Sequence, residues 1–319
     1  MSKCPLNTSS LNKLKKYLNH NNYRVRPEET PVPKIIQHSL LGDIFSKLIR
    51  MRDDEKREPV KQALTQALNS YTYDAIFNIT QNVAKQNLPK TITAEGLNTF
   101  LATLPVYVLG TLLGYKPEQW QQLAYDAHHF SCTVLSLHIK PHEISAQIES
   151  AERLYSQIEQ QNGELFVLFS QYAQQHKIVD KSLLISNLMG LFFQISDSTT
   201  ALIGLTLIET QKGTEQTISS LIEKVLNEIV PIKQTKRFKS QNNSVDEIAI
   251  PLLTRDGALP FGYGKHRCPG EHIARAMGCS AVKFILQQKY NKDYFTHYRW
   301  KTSTNAQIPL FYLKQELSS

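Results

Sequence analysis

The sequence predicts a mainly α-helical domain with a reduced β portion, on three observations. Apolar residues recur at three- and four-residue spacing from Leu41 onward, the period of a helix with one buried face. Residues 183–208 are apolar on every side and include no lysine or arginine, so they form either a membrane span or the central helix of a larger protein. The two-residue alternation of a strand is confined to the end, around Trp300 and residues 308–314, where a short hairpin is expected.

With 319 residues and 41% hydrophobic content, the chain can bury a sizeable core and is not disordered by composition. Residues 1–40 are polar and carry turn formers such as Pro5, Pro27, Pro31 and Pro33, so they are expected to wrap the surface while 41–319 form one helical domain. They hold no apolar run of signal-peptide or membrane-anchor length, and Cys4, Cys132, Cys268 and Cys279 are scattered without a disulfide framework; a cytoplasmic protein is expected. The formal charge of +8 leaves an acidic protein partner or a plain solvated surface as its meaning. Its basic residues lack the aromatic interleaving of a nucleic-acid motif, so no nucleic-acid partner is expected.

The first helix of the domain carries Ile44, Phe45, Leu48 and Ile49. Pro59 then suits the first turn of a second, whose stripe is Val60, Ala63, Leu64, Ala67 and Leu68. Gly114 reads as a helix C-cap with Pro117 as a stop signal. A helix over 118–136 places His128 and His129 on different faces, which makes them poor joint metal ligands, and a polar helix follows over 141–161. In 183–208 the groups of Asn187, Gln194, Ser196, Asp197, Ser198, Thr199 and Thr200 would be costly in lipid, so a core helix and not a membrane span is expected. Asp197, read as buried there, needs a partner or ordered water.

Residues 259–278, LPFGYGKHRCPGEHIARAMG, carry the chemistry. Gly262 and Gly264 allow tight turns, Pro269 fixes the chain beyond Cys268, and a helix follows with Ile273, Ala276, Met277 and Phe284 on one face. Amides at that helix start favour negative charge on the sulfur, so a thiolate is expected at Cys268. Two other readings stand beside it: a small buried hydrophobe, and zinc bound by His266, Cys268, His272 and Cys279, whose spacing lacks the paired ligands that structural zinc prefers.

The segment Phe261-Gly262-x-Gly264-x-His266-x-Cys268-x-Gly270 resembles, at each fixed position, the haem-binding loop of the cytochrome P-450 family. The resemblance implies a cytochrome P-450-like helical fold around haem b, with Cys268 as the iron ligand, Phe261 packed beside the sulfur and His266 reaching a haem propionate. Arg57 and Lys61 stand where the family has a propionate-clasping pair four apart. Gln234, Thr235 and Arg237 resemble a strand whose arginine meets a propionate. Leu104-Pro105-Val106 and Leu112-Leu113-Gly114 resemble the start and end of a family scaffold helix. Asp197 and Ser198, with Thr199 next to them, occupy the place of an acid–alcohol pair that helps deliver protons during oxygen activation; Ile195 replaces a glycine usual two places before the acid.

The family's Glu-x-x-Arg signature is absent, with Lys224 and Asn227 in its place, and the N-terminal sheet has little room. The resemblance implies a haem-thiolate monooxygenase acting on a small apolar organic molecule. A separate ferredoxin- or flavodoxin-type electron donor is expected because no flavin or iron–sulfur motif occurs. Alternatives are a peroxide-using enzyme, one catalysing coupling or dehydration, and a noncatalytic haem-binding protein.

Overall fold

The computed structural model describes residues 10–28, 31–89, 93–135, 144–213, 216–241, 244–288, 292–303 and 305–313. Cys4, Ser136, Pro141 and Tyr290 lie outside them. Among the described residues there are eleven α-helices and three two-stranded antiparallel sheets.

The long helix α9 (Lys181–Thr210) runs through the molecule, with Asp180 capping its start by accepting from Leu183 N at 3.1 Å. Leu188, Phe192, Ile203 and Leu207 on it are fully buried. Against it pack α2 (Leu40–Lys47), α5 (Ala94–Leu112), α6 (Trp120–Leu135), α7 (Ile144–Gln161), α8 (Glu164–Gln175), α10 (Ile218–Lys224) and α11 (Glu271–Gln287). In length and composition α9 could cross a membrane, yet 67% of its most apolar window is buried inside the protein, as expected of a core helix.

Two further helices build the layer beside the cysteine loop. In α3 (Arg57–Asn69) Pro59 sits in the first turn and the stripe from Val60 to Leu68 is buried, as its spacing predicts. Between α3 and α5, α4 (Tyr73–Asn87) packs on α11, where Ser280 Oγ donates to Phe77 O at 2.7 Å.

The helix expected to begin near Leu104 begins ten residues earlier. Thr93 caps it, accepting from Gly96 N at 3.0 Å, and Pro105 lies in its interior. A proline there leaves the carbonyl four residues back without its helical donor. That carbonyl, Leu101 O, accepts from Thr200 Oγ1 of α9 at 3.1 Å, which ties this turn of α5 to the core helix. Gly114, at φ +89, closes α5 as its sequence predicts.

The β portion is small. Strands β1 (Gln234–Gln241) and β2 (Ser244–Pro251) pair with Gln234 opposite Pro251. A short hairpin of β3 (Leu253–Thr254) and β4 (Gly257–Ala258) leads into the cysteine loop. The expected terminal hairpin is β5 (Tyr298–Trp300) with β6 (Pro309–Phe311).

One described stretch of the N-terminal segment packs inward. Helix α1 (Leu11–Asn19) buries Leu14 and Leu18 in a second apolar cluster with Val230, Ile250 and Leu252. Its polar composition hid this, because two leucines four apart are enough to seat one short helix.

Lys224 and Asn227, which occupy the signature positions, have other partners. Glu209 at the end of α9 is 2% exposed and meets Lys212 at 2.6 Å and Lys224 at 3.0 Å, while Asn227 Nδ2 donates to Glu223 O. Burial alone would raise the Glu209 pKa, but the two lysines outweigh it and hold the carboxyl below its ordinary 4.5. The stabilisation is therefore present above pH 4.5 and lost as the pH falls through the depressed value. Glu209→Gln should lower unfolding free energy by about 1 kcal/mol at pH 7, and the deficit should shrink as the pH falls below 4.5; chemical denaturation at several pH values checks both.

Candidate functional site

The cysteine loop is built by its own backbone. Cys268 N donates to Phe261 O at 2.8 Å, Gly262 N to Leu259 O at 2.9 Å and Arg267 N to Gly264 O at 3.0 Å. Gly262 and Gly264 sit at φ +72 and +63, where a side chain would be strained. At Gly264 a Cβ would also lie 2.4 Å from Asn19 Oδ1, so the C-terminal end of α1 braces the loop directly. Phe261 packs into the apolar cluster of Leu202, Leu205, Ile222, Val225 and Leu226, which joins α9 to α10.

Cys268 opens onto a crevice of about 500 Å³, edged by Lys61, Thr65, Arg267 and Arg275. Solvent reaches the residue from that side, and protein surrounds the sulfur elsewhere. Burial raises the thiol pKa above its ordinary value, against a hydrogen bond from the Gly270 backbone and the charges of Arg50 and Lys61. The helix start thus acts in the expected direction, but desolvation outweighs it in the protein alone.

The sequence-derived cations gather around the loop. Arg57, 5% exposed, and Lys61 both donate to the Lys265 carbonyl, Lys61 at 2.5 Å. Burial, then the neighbouring Arg57 charge, lower Lys61 to about 8. Arg237 on β1, also 5% exposed, uses Nη1 on Thr235 Oγ1 and the Lys236 carbonyl; burial and Arg50 lower it to about 10. The Nε atoms of Arg57 and Arg237 are buried without a hydrogen-bond partner.

His266 Nε2 lies 2.8 Å from Asp53 Oδ1, and Asp53 Oδ2 accepts from Val25 N at 2.7 Å. Burial pushes His266 down to about 4, so at neutral pH a neutral imidazole donates to a carboxylate. Burial opposes the Asp53 charge too, but its bonds to His266 and Val25 hold the carboxyl well below the usual range. His272 turns away to the Leu68 carbonyl at 3.0 Å, and Cys279 lies 3.7 Å from Ser219 Oγ. Among the described residues no three His, Cys, Asp or Glu side chains form a group able to hold a metal ion.

On α9, Ser198 Oγ donates to Gln194 O at 2.5 Å and Thr199 is 1% exposed. Asp197 is not buried as its place in the core helix suggested. It is 33% exposed and pairs with Lys301, next to β5, at 3.1 Å, because its side of α9 faces the terminal hairpin. His128 on α6 feels both charges, and burial lowers its pKa.

Sequence reading passed over Asp53 and Arg50. Asp53 stands in a charged run, DDEKRE, that reads as a solvated face. Arg50 follows a turn clamped by Asn187, which accepts from Ile49 N at 2.8 Å and donates to Lys47 O at 3.0 Å. Its guanidinium lies 5.8 Å from the centre of the Phe193 ring of α9.

No family model matches the chain, and no curated protein matches it in sequence. The fold is that of cytochromes P-450. Cytochrome P-450 BioI, solved with an acyl carrier protein ligated to hexadec-9Z-enoic acid, superposes with a TM-score of 0.71 at 14% identity, over 95% of this chain and 89% of that one. Cytochrome P-450 RauA, solved with a biosynthetic intermediate of aurachin RE, gives 0.71 at 13% identity over the same shares. A 4-phenylimidazole-bound cytochrome P-450 from the thermoacidophilic archaeon Picrophilus torridus gives 0.67 at 16%, over 95% and 96%.

Asp53 joins the loop, through His266, to the N-terminal segment, through Val25. Asp53→Asn should therefore destabilise the protein by about 2–4 kcal/mol, read as a lower urea midpoint with an unchanged slope.

Proposed function

We propose that this chain is a haem-thiolate monooxygenase of secondary metabolism that inserts oxygen into a small apolar organic molecule in the cytoplasm, using electrons from a separate ferredoxin- or flavodoxin-type donor. One observation carries the reading. The loop cysteine stands at a crevice edged by Lys61, and Arg50, Arg57 and Arg237 lie nearby; burial and then neighbouring arginines lower the pKa values of Lys61 and Arg237, and the four cations outnumber the nearby Asp53 and Glu58. Two buried guanidinium Nε atoms without partners fit a ligand that brings two carboxylates, as haem b does.

When bound, haem would supply an iron whose reactivity toward oxygen is raised by electron density from a thiolate ligand. Cys268 Sγ would be that ligand, with the Gly270 N–H bearing on its charge and Phe261 packing the loop behind it. Arg57, Lys61 and Arg237 would clasp the propionates, with His266 alongside and its ring proton shared with Asp53. Ser198 Oγ is the proton-passing atom, Asp197 the acid that recharges it, and Thr199 the next hydroxyl in line. Lys61 at the crevice rim and the formal charge of +8 suit an acidic electron donor. Neither nucleic acid nor membrane has a part. The neighbours solved with a hexadecenoic-acid-loaded carrier protein and with a biosynthetic intermediate support an apolar substrate.

The pairing of Asp197 with Lys301 favours a second reading, in which peroxide replaces oxygen and electrons, because the acid is already engaged. Ser198→Ala separates the two: under the first it leaves substrate binding intact and diverts reducing equivalents into hydrogen peroxide, measured as product formed per NAD(P)H consumed.

Cys268→Ser should abolish the thiolate-type absorption of the reduced carbon monoxide complex, and Cys279→Ser should keep it. Arg237→Ala should lower haem content on purification. Retention of the thiolate spectrum in Cys268→Ser would assign the ligand elsewhere.

A further inference from the structure

Arg50 stands in a single turn, Ile49–Met51, between α2 and α3, and Asn187 of α9 clamps that turn in place. Its side chain combines two properties that rarely meet. Much of its surface is open, yet the residue lies deep enough inside the protein for burial to lower its pKa. Cys268 shows the same combination, open at its surface and desolvated by the protein around it, and each acts on the other's charge. A side chain of this kind faces an internal space, and the mutual effect of Arg50 and Cys268 points to a shared one. The core helix opens near it. Residues 194–198 of α9 are all half-buried, whereas 184–190 and 199–207 are buried throughout. Phe193, directly before the open turn, has its ring centre 5.8 Å from the Arg50 guanidinium.

What Arg50 lacks is an anion. Among the described residues its guanidinium has no hydrogen-bond or ion-pair partner: it rests on the Phe193 ring, the Cys268 sulfur favours its charge, and Arg237 opposes it. An arginine keeps its proton near neutral pH, so it cannot escape burial by becoming neutral. A desolvated cation of this kind is costly until an anion joins it, and a guanidinium matches a carboxylate with two parallel N–H···O bonds. The two carboxylates of haem have other donors in the proposed site. Arg57 and Lys61 gather at the Lys265 carbonyl and Arg237 stands on β1, whereas Arg50 lies against α9 beside Phe193, one helical turn before Asp197.

We propose that Arg50 binds the carboxylate of the substrate, which is then an apolar monocarboxylic acid whose apolar body lies against Phe193 and Ile195. The catalytic meaning rests on the haem-thiolate reading, whereas the anion site does not require it.

The test measures binding of decanoate and of decanamide, which has the same chain without the charge, by titration calorimetry on the purified full chain at pH 7.5. Wild type, Arg50→Leu and Arg50→Lys are compared, with haem per chain and the urea midpoint recorded for each. Wild type should bind decanoate more tightly than decanamide. Arg50→Leu should weaken decanoate by about thirtyfold and leave decanamide within about twofold, with Arg50→Lys in between. Haem per chain should stay at the wild-type level, and the urea midpoint should be no lower, because an unpaired buried charge has been removed. Should Arg50→Leu fail to fold, Arg50→Gln takes its place under the same outcomes. Equal affinity of wild type for the two probes overturns the proposal, as does unchanged decanoate affinity in Arg50→Leu. Haem loss in Arg50→Leu also overturns it, since the guanidinium then serves a haem propionate. A decanoate-selective loss in a protein whose reduced carbon monoxide complex never gives a thiolate spectrum upholds the anion site and removes the haem-thiolate reading.

Discussion

Cys268 sits where desolvation opposes ionisation of its sulfur, and much of the surrounding structure acts on that conflict. Burial raises the thiol pKa, while the Gly270 backbone, Arg50 and Lys61 pull it down. The cations around the loop are themselves desolvated: Lys61 is lowered to about 8 and Arg237 to about 10. Cations and sulfur that are each costly alone become less so together, and the orphaned guanidinium atoms mark where the compensation is still incomplete.

This electrostatic arrangement needs a rigid mount, and the chain supplies one from residues far apart in sequence. Asp53 fixes His266 from one side and Val25 from the other. Asn19 fills the space over Gly264, where a side chain is already excluded by the positive φ. The polar N-terminal segment thus braces the loop through Asn19 and Val25. The core helix carries the other wall, and Thr200 joins it to α5 by occupying the carbonyl that Pro105 frees.

What could be read from the sequence is what lies within a few turns of backbone. The loop from Phe261 to Gly270, the stripe from Val60 to Leu68, the cap at Gly114 and the terminal hairpin are local patterns whose physics needs no distant partner. Pairings across the fold left no such mark. His266 and Asp53 are 213 positions apart, and nothing in the run DDEKRE distinguishes a buried carboxylate from a solvated one. Asp197 failed in the opposite direction, since a carboxylate in an apolar run reads as buried although one side of that helix meets Lys301 and solvent. Helices α4 and α8 escaped notice because amphipathic segments of ordinary composition announce neither site nor boundary.

The positions of the missing signature have partners of their own. Lys224 reverses the charge at its position, and Glu209 of α9 answers it; the neighbouring Glu223 then faces α11 and Arg275. Helix α10 is held on two sides by pairs of opposite polarity, one to the core helix and one to the helix after the cysteine. Because Arg275 lies seven residues beyond Cys268 on the helix the loop feeds, it couples that helix to α10 through one side chain.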